Sequence, residues 1–252
     1  MNIEAPQKKH EAALRDLWKE AFGDSDAFLD AFWATAFSPS RCRCVTEGER
    51  VLSALYWFDA SCRGERLAYL YAIATAESQR GKGFCRRLME DTHRLLKEKG
   101  YRGALLVPSE PSLFGFYGRL GYQTATYIEE ISAQASERAH PLRSLTGSEY
   151  AHLRRRYLPE GGVVQEGEAL ALLEKSASFY EGEGVLLAVE CEKGRARLAE
   201  LLGDAALLPD ILCALRCKEG SARTVGKGRP FSMLLPLAPE APCPSYFGLA
   251  LD

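Results

Sequence analysis

The sequence predicts an α/β chain on a mixed sheet, arranged as two successive halves with a similar order of elements. Three observations predict it. An apolar run, Leu67–Thr75, enters a glycine-containing turn, and the turn opens an amphipathic helix. Ahead of it, Glu47-Gly48-Glu49 and Arg63-Gly64-Glu65 join strand-like segments into a meander. After residue 147 the order helices, strand pair, helix, strands comes round again.

Composition sets the bounds. With 252 residues, 46% hydrophobic and 26% charged, the chain has the make-up of a globular protein of one large or two small domains. A net charge of −2 gives no reason to expect nucleic acid or an anionic membrane as partner. No apolar run approaches the ~20 residues of a membrane helix. The N-terminus, MNIEAPQKKHEAALRD, lacks the apolar core of a signal peptide, so a cytoplasmic location is expected. The eight cysteines are scattered without a Cys-x-x-Cys pair, and the four histidines are not grouped with them. Reduced thiols and no metal site are expected.

In chain order, Asn2–Glu4 suits a short strand and residues 8–22 an amphipathic helix, with Leu14, Leu17, Trp18 and Phe22 at helical spacing. Gly23 stops it, and Asp24 or Ser25 can cap a second helix that carries Phe28, Leu29, Phe32, Trp33 and Phe37. Strands follow at 41–46, 51–59 and 66–75. The last is apolar on both faces, as in a central strand. A helix over 84–99 ends at Gly100, and Gly103–Val107 should then lie parallel to the strand before the turn. Pro111 and Ser112 begin a short helix that ends at Gly121, and Tyr122–Ile131 returns as a strand.

The turn itself builds an anion site. Backbone N–H groups from Arg80 to Cys85 come free at a helix start and point outward together. Gly81 and Gly83 allow positive φ and close approach of a phosphate, and Arg80 and Lys82 add positive charge. The spacing fits neither a Walker A loop nor Gly-x-Gly-x-x-Gly, since Arg86 stands at the third glycine. Ser78-Gln79-Arg80-Gly81-Lys82-Gly83 instead resembles the pyrophosphate-binding motif of the GNAT N-acetyltransferases, Arg/Gln-x-x-Gly-x-Gly/Ala, with Ser78 departing at the first position. Residues 109–125, SEPSLFGFYGRLGYQTA, resemble a second GNAT landmark, a short helix bearing Tyr before Gly-Tyr.

The resemblance covers about residues 1–131 and implies acetyl-CoA as cosubstrate. It implies the pyrophosphate on Arg80, Gly81, Lys82, Gly83, Phe84 and Cys85. It also implies the pantetheine arm along Ile73, Ala74 and Thr75, and Tyr117 as the acid that protonates the departing thiolate. A phenol suits that task. Acceptor and base are not legible. Asp59, Glu110, Glu129 and Asp252 are the carboxylates weighed, and a small-molecule amine or peptide is the expected acceptor. Trp33, Trp57, Tyr56 and Tyr69 would suit an aromatic or cationic amine and equally a core. The oligomeric state stays open, a homo-oligomer included.

Residues 132–147 suit a connector, giving an acetyl-CoA-binding domain over 1–135 and a second, degenerate GNAT-like unit over 136–252. There, helices are expected at 149–157, 166–179 and 207–218, and strands at 185–191, 196–202, 221–225, 231–235 and 246–251. At the place of the cradle stands Leu202-Gly203-Asp204-Ala205, with one glycine, no base and an acid that repels phosphate. Gly226-Lys227-Gly228 leads into a strand, so a loop is expected. Two GNAT-like halves resemble a shortened member of the enhanced-intracellular-survival family of aminoglycoside acetyltransferases. In that family the chain's C-terminal carboxylate acts as base, which would be Asp252 here. The alternative function is a coenzyme A-binding sensor or scaffold without turnover.

Overall fold

The computed structural model describes residues 1–251. In chain order the elements are β1 (Asn2–Glu4), α1 (Glu11–Phe22), α2 (Asp26–Thr35), β2 (Cys42–Glu47), β3 (Arg50–Cys62), β4 (Glu65–Thr75), α3 (Phe84–Glu98), β5 (Gly103–Leu106), α4 (Pro111–Gly118) and β6 (Gln123–Gln134). There follow β7 (Arg143–Leu145), α5 (Gly147–Tyr157), β8 (Val164–Gln165), α6 (Glu168–Leu173), β9 (Ser178–Gly182), β10 (Val185–Glu192), β11 (Arg195–Gly203), α7 (Leu208–Ala214), β12 (Glu219–Val225) and β13 (Arg229–Pro236). The chain divides into two compact units, and the division interleaves along the sequence. The first unit takes Met1–Leu106, Gly115–Tyr122 and Leu234–Pro242; the second takes Val107–Phe114, Gln123–Met233 and the chain from Cys243 on.

In the first unit the strand order is β1-β2-β3-β4-β5, antiparallel up to β4 and parallel between β4 and β5. The end of β13 lies beside β5, where the Leu237 N–H bonds the Arg102 carbonyl at 2.9 Å. Helix α1 ends because Gly23 adopts φ 73°, and α2 starts where Ser25 Oγ accepts the Phe28 N–H at 3.2 Å. The two helices bury Leu14, Leu17, Trp18, Leu29 and Phe32. Trp18 lies 5.0 Å, centroid to centroid, from Tyr56 of β3. Each such burial stabilises by roughly 1.5–3 kcal/mol. Helix α3 packs on β2, β3 and β4 through Leu88, Met89, Thr92 and Leu96.

The second unit repeats this plan. β9, β10 and β11 form an antiparallel meander, and α7 carries the chain from β11 to β12, which is parallel to it. β7 pairs β9 at one side, and β6 pairs β12 at the other. Its core is Val185, Leu187, Val189, Leu198, Leu201, Leu208, Ile211 and Leu212. The unit also buries an ion pair. Arg154, 1% exposed, donates to Glu200, 0% exposed, at 2.6 and 2.9 Å, and the Tyr150 hydroxyl donates to the same carboxylate at 2.8 Å. Burial works against the Arg154 charge, and Glu200 outweighs it, so the guanidinium is held protonated.

Two expected elements differ. The helix expected over 166–179 stops at Leu173, and Ser178–Gly182 is a strand on β10. Ala177 and Phe179 are buried and Ser178 is exposed, an alternation that suits a strand edge and not a helix. Residues 246–250 are buried, but 246–251 join no ladder. They are held by the single bridge Gly162↔Tyr246 and by Arg223, which donates to the Gly248 carbonyl at 2.8 Å. The strands β7 and β8, of three and two residues, fall where no strand was expected.

Arg154→Ala strands a buried carboxylate and should cost about 3–5 kcal/mol. Urea unfolding should show that loss, and Arg154→Met with Glu200→Leu should recover most of it.

Candidate active site

The site begins where β4 ends. The ladder from β4 to β5 pairs Leu67–Tyr69 with Gly103–Leu105, while β4 itself continues to Thr75. On its other side β4 stays paired to β3, with one irregularity. Ala54↔Ala74 is followed by Tyr56↔Tyr71, so β4 carries an extra residue there, and Ala72 sits at φ 47°. A non-glycine residue in that region marks a bulge held by its surroundings at a cost of order 1–2 kcal/mol. Ile73, Ala74 and Thr75 follow the bulge. Ser53, fully buried, holds this stretch: its hydroxyl donates to the Ala74 carbonyl at 2.7 Å and lies 2.8 Å from Thr75 Oγ1.

A single 3-10 turn, Glu77–Gln79, then swings the chain toward α3. The Glu77 N–H is accepted by Glu20 of α1 at 2.6 Å, and Arg80 Nε donates back to the Thr75 carbonyl at 3.3 Å. Gly81 and Gly83 have φ of 76° and 79°, with open space where a Cβ would stand. Gly83 is the N-cap of α3, and the first helical bond runs from the Arg87 N–H to the Gly83 carbonyl at 3.2 Å. The N–H groups of Phe84, Cys85 and Arg86 therefore precede the helical ladder and share the positive end of its dipole. Arg80, Lys82, Arg86 and Arg87 are exposed around them. With α3 starting at Phe84, the GNAT pattern is met more fully two residues later than Ser78–Gly83. Arg80 takes its first position, Gly83 its first glycine and Cys85 the place of its last small residue.

Tyr117 of α4 is 7% exposed. Burial holds its phenol well above the ordinary range, and the Cys85 thiol in the first turn of α3 adds to the shift. Cys85 itself is pushed up to about 11 by burial. Tyr117 is positioned by Tyr122, whose N–H bonds the Tyr117 carbonyl at 3.1 Å and whose ring stands 5.8 Å away. The Tyr122 hydroxyl lies 2.8 Å from His93 Nε2 of α3. Burial lowers His93 to about 4, so at neutral pH the ring is uncharged and can accept from Tyr122. His93 was not singled out in the sequence. Its signal is the spacing Met89, His93, Leu96, which puts it beside the buried stripe of α3.

The carboxylates weighed as bases are differently placed. Asp59 pairs with Ala68 near the start of β4, seven residues from Thr75, or roughly 23 Å along the strand. It is held there by Arg66 at 3.2 Å, Arg41 at 3.6 Å and the Tyr101 hydroxyl, a structural cluster. Glu110 accepts from Ser112 Oγ at 3.3 Å. Glu129 is wrapped by the Gly226–Gly228 loop, where a Cβ on Gly228 would meet its carboxylate at 2.8 Å. Both belong to the second unit. Asp252 lies outside the described residues.

The second unit fills its own counterpart of the turn. A Cβ on Gly203 would meet the Gly184 carbonyl oxygen at 1.9 Å, and that oxygen accepts the Asp204 N–H at 3.2 Å. Asp204 Oδ1 accepts the Ala206 N–H at 2.9 Å. Pro209 then removes one N–H from the first turn of α7. Among the described residues no three His, Cys, Asp or Glu side chains come together as a metal site would need.

A bulged strand parting from its parallel neighbour, then a glycine turn opening a helix, is the framework of an acetyltransferase. The acetyltransferase (GNAT) domain family matches residues 2–125, a little under half of the chain, and that stretch is a GNAT acetyltransferase domain. Solved structures share the fold over nearly the whole chain. A GCN5-related N-acetyltransferase from Kribbella flavida is 17% identical with a TM-score of 0.69, covering 92% of this chain and 70% of that one. Eis1 from Mycobacterium abscessus is 13% identical with a TM-score of 0.67, over 96% and 75%. A putative acetyltransferase from Pyrococcus horikoshii is 11% identical with a TM-score of 0.62, over 98% and 93%. No curated protein sequence matches the chain.

Gly83→Glu strains the N-cap and sets a carboxylate against the helix start. In calorimetric titration it should abolish acetyl-CoA binding, and normal affinity in that variant would refute the cradle. His93 contributes stability that is present above its unfolded value near 6.5 and lost as pH falls toward 4, because the unfolded chain binds the proton more readily. Thermal unfolding should show a falling Tm over that window, with a shallower fall in His93→Gln.

Proposed function

We propose that the chain is an N-acetyltransferase that moves the acetyl group of acetyl-CoA to a primary amine of a small molecule or peptide. The observation that carries this is the pairing of an anion-binding helix start with a buried, protonated Tyr117 next to Cys85 of that helix's first turn. The residues present fit the cosubstrate. Three N–H groups ahead of the helical ladder, two glycines in open space and the exposed cations Arg80 and Lys82 suit a pyrophosphate. The backbone of Ile73, Ala74 and Thr75, beyond the end of the β4–β5 ladder, suits the amides of a pantetheine arm.

Acetyl-CoA supplies the thioester. The amine, with its nitrogen uncharged, forms a C–N bond to the acetyl carbon. The C–S bond breaks, and its electron pair leaves on sulfur. Tyr117 donates a hydrogen bond and then its proton to that sulfur, and the proton lost by the amine goes to water. Holding the reactants together supplies much of the rate. Because burial keeps Tyr117 protonated above the ordinary phenol range, the acid stays available throughout neutral and mildly alkaline pH.

On this reading residues 1–135 form the acetyl-CoA-binding half. Residues 136–252 form a degenerate GNAT-like half that takes none, in keeping with the Gly184 carbonyl and Asp204 carboxylate at its turn. The eight free cysteines suit the cytoplasm, where acetyl-CoA is supplied.

Tyr117→Phe tests the role directly. It should lower kcat by about 10²- to 10⁴-fold while the Kd for acetyl-CoA stays unchanged, as followed by thiol release and calorimetry. Unchanged kcat would remove Tyr117 from the chemistry.

A further inference from the structure

The first unit carries an aromatic surface that its core leaves uncovered. Trp18 is 2% exposed and forms the floor. Around it stand Phe22 at 5.7 Å, Phe28 at 6.1 Å and Tyr71 at 5.7 Å between ring centroids. Phe22 is 45% exposed, and Phe28 and Tyr71 are half-buried.

The surface adjoins the cradle's strand. Tyr71 is the residue immediately before Ala72, at which β4 bulges. Glu20, two residues before Phe22, holds the Glu77 N–H where the chain leaves β4. The same end of α1 is acidic. Asp24 accepts from Trp18 Nε1 at 2.7 Å, and neither Asp24 nor Glu20 has a cationic partner among the described residues. The cations nearby in sequence are already engaged, Lys19 with Asp26 at 2.5 Å and Arg15 with Asp30 at 2.6 Å.

We propose that the acceptor is an arylalkyl amine, its ring on Phe22 and Phe28 above Trp18 and its ammonium drawn in by Asp24 and Glu20. The proposal rests on the acetyltransferase reading and narrows its acceptor. Two carboxylates attract a cation, and three ring faces or edges reward an aromatic group with geometry-dependent contacts that an alkyl chain does not make. The ammonium gives its proton to water before attack, so the acetyl transfer balances as described above.

The test compares 2-phenylethylamine with ethylamine as acceptors for the full chain, with acetyl-CoA binding measured in parallel by calorimetry. The wild-type chain should prefer 2-phenylethylamine by at least about tenfold in kcat/KM, chiefly through KM. Phe22→Ala should remove most of that preference, with its acetyl-CoA affinity unchanged as the control for folding, and Phe28→Ala should act in the same direction. Asp24→Asn should raise KM for the aryl amine. Equal kcat/KM for the two amines, turnover of neither, or an unchanged preference in Phe22→Ala would overturn the proposal while acetyl-CoA still binds. Failure of acetyl-CoA to bind the wild-type chain would instead overturn the acetyltransferase reading, and this one with it.

Discussion

A buried hydroxyl ties down the end of β4. Ser53 bonds the Ala74 carbonyl and lies within hydrogen-bond distance of Thr75 Oγ1, so the strand leaves the sheet at a fixed point after its bulge. The turn and the helix start follow from that exit. The 3-10 turn at Glu77–Gln79 can swing only so far, Gly81 and Gly83 absorb the positive φ angles, and α3 begins with three N–H groups ahead of its ladder. A chain that kept β4 paired to β5 throughout would have no backbone left to offer a ligand. The parting of those two strands after Tyr69 is therefore as much a part of the site as the glycines.

The second unit lays out a similar order of elements around a different turn. Its meander, crossover helix and parallel strand follow those of the first. Yet its turn is closed by Gly184, its first helical donors meet Asp204, and Pro209 removes another. Each change satisfies or deletes a backbone group that the first unit leaves to solvent. The buried Arg154–Glu200 pair belongs to the same unit and is costly to break from one side.

Much of this was legible in the residues. The apolar run Leu67–Thr75, the glycines at 81 and 83 and the helical stripe of 84–99 place the strand, the turn and the helix, because local periodicity and φ > 0 are written directly in residue type. The helix starts at Phe84, where the sequence put it, and with Gly83 seen as its N-cap the motif reads better two residues later than Ser78–Gly83. The bulge at Ala72 left no mark, because alanine carries no signal for it. The helix expected through Phe179 failed where a strand pairing with β10 overrode a helical pattern. Residues 246–251 looked like a strand because burial, not pairing, selects apolar side chains there. His93 and Tyr122 are brought together by tertiary structure across 29 residues, a distance over which sequence pattern says nothing.

Hydrogen exchange of backbone amides, with and without saturating acetyl-CoA, tests most directly whether the first turn binds and the second does not. Protection should rise at residues 81–86 and 72–76 and stay unchanged at 203–208, the amides already met by Gly184 and Asp204. New protection at 203–208, or none at 81–86, would contradict the assignment of the site to the Gly81–Gly83 turn.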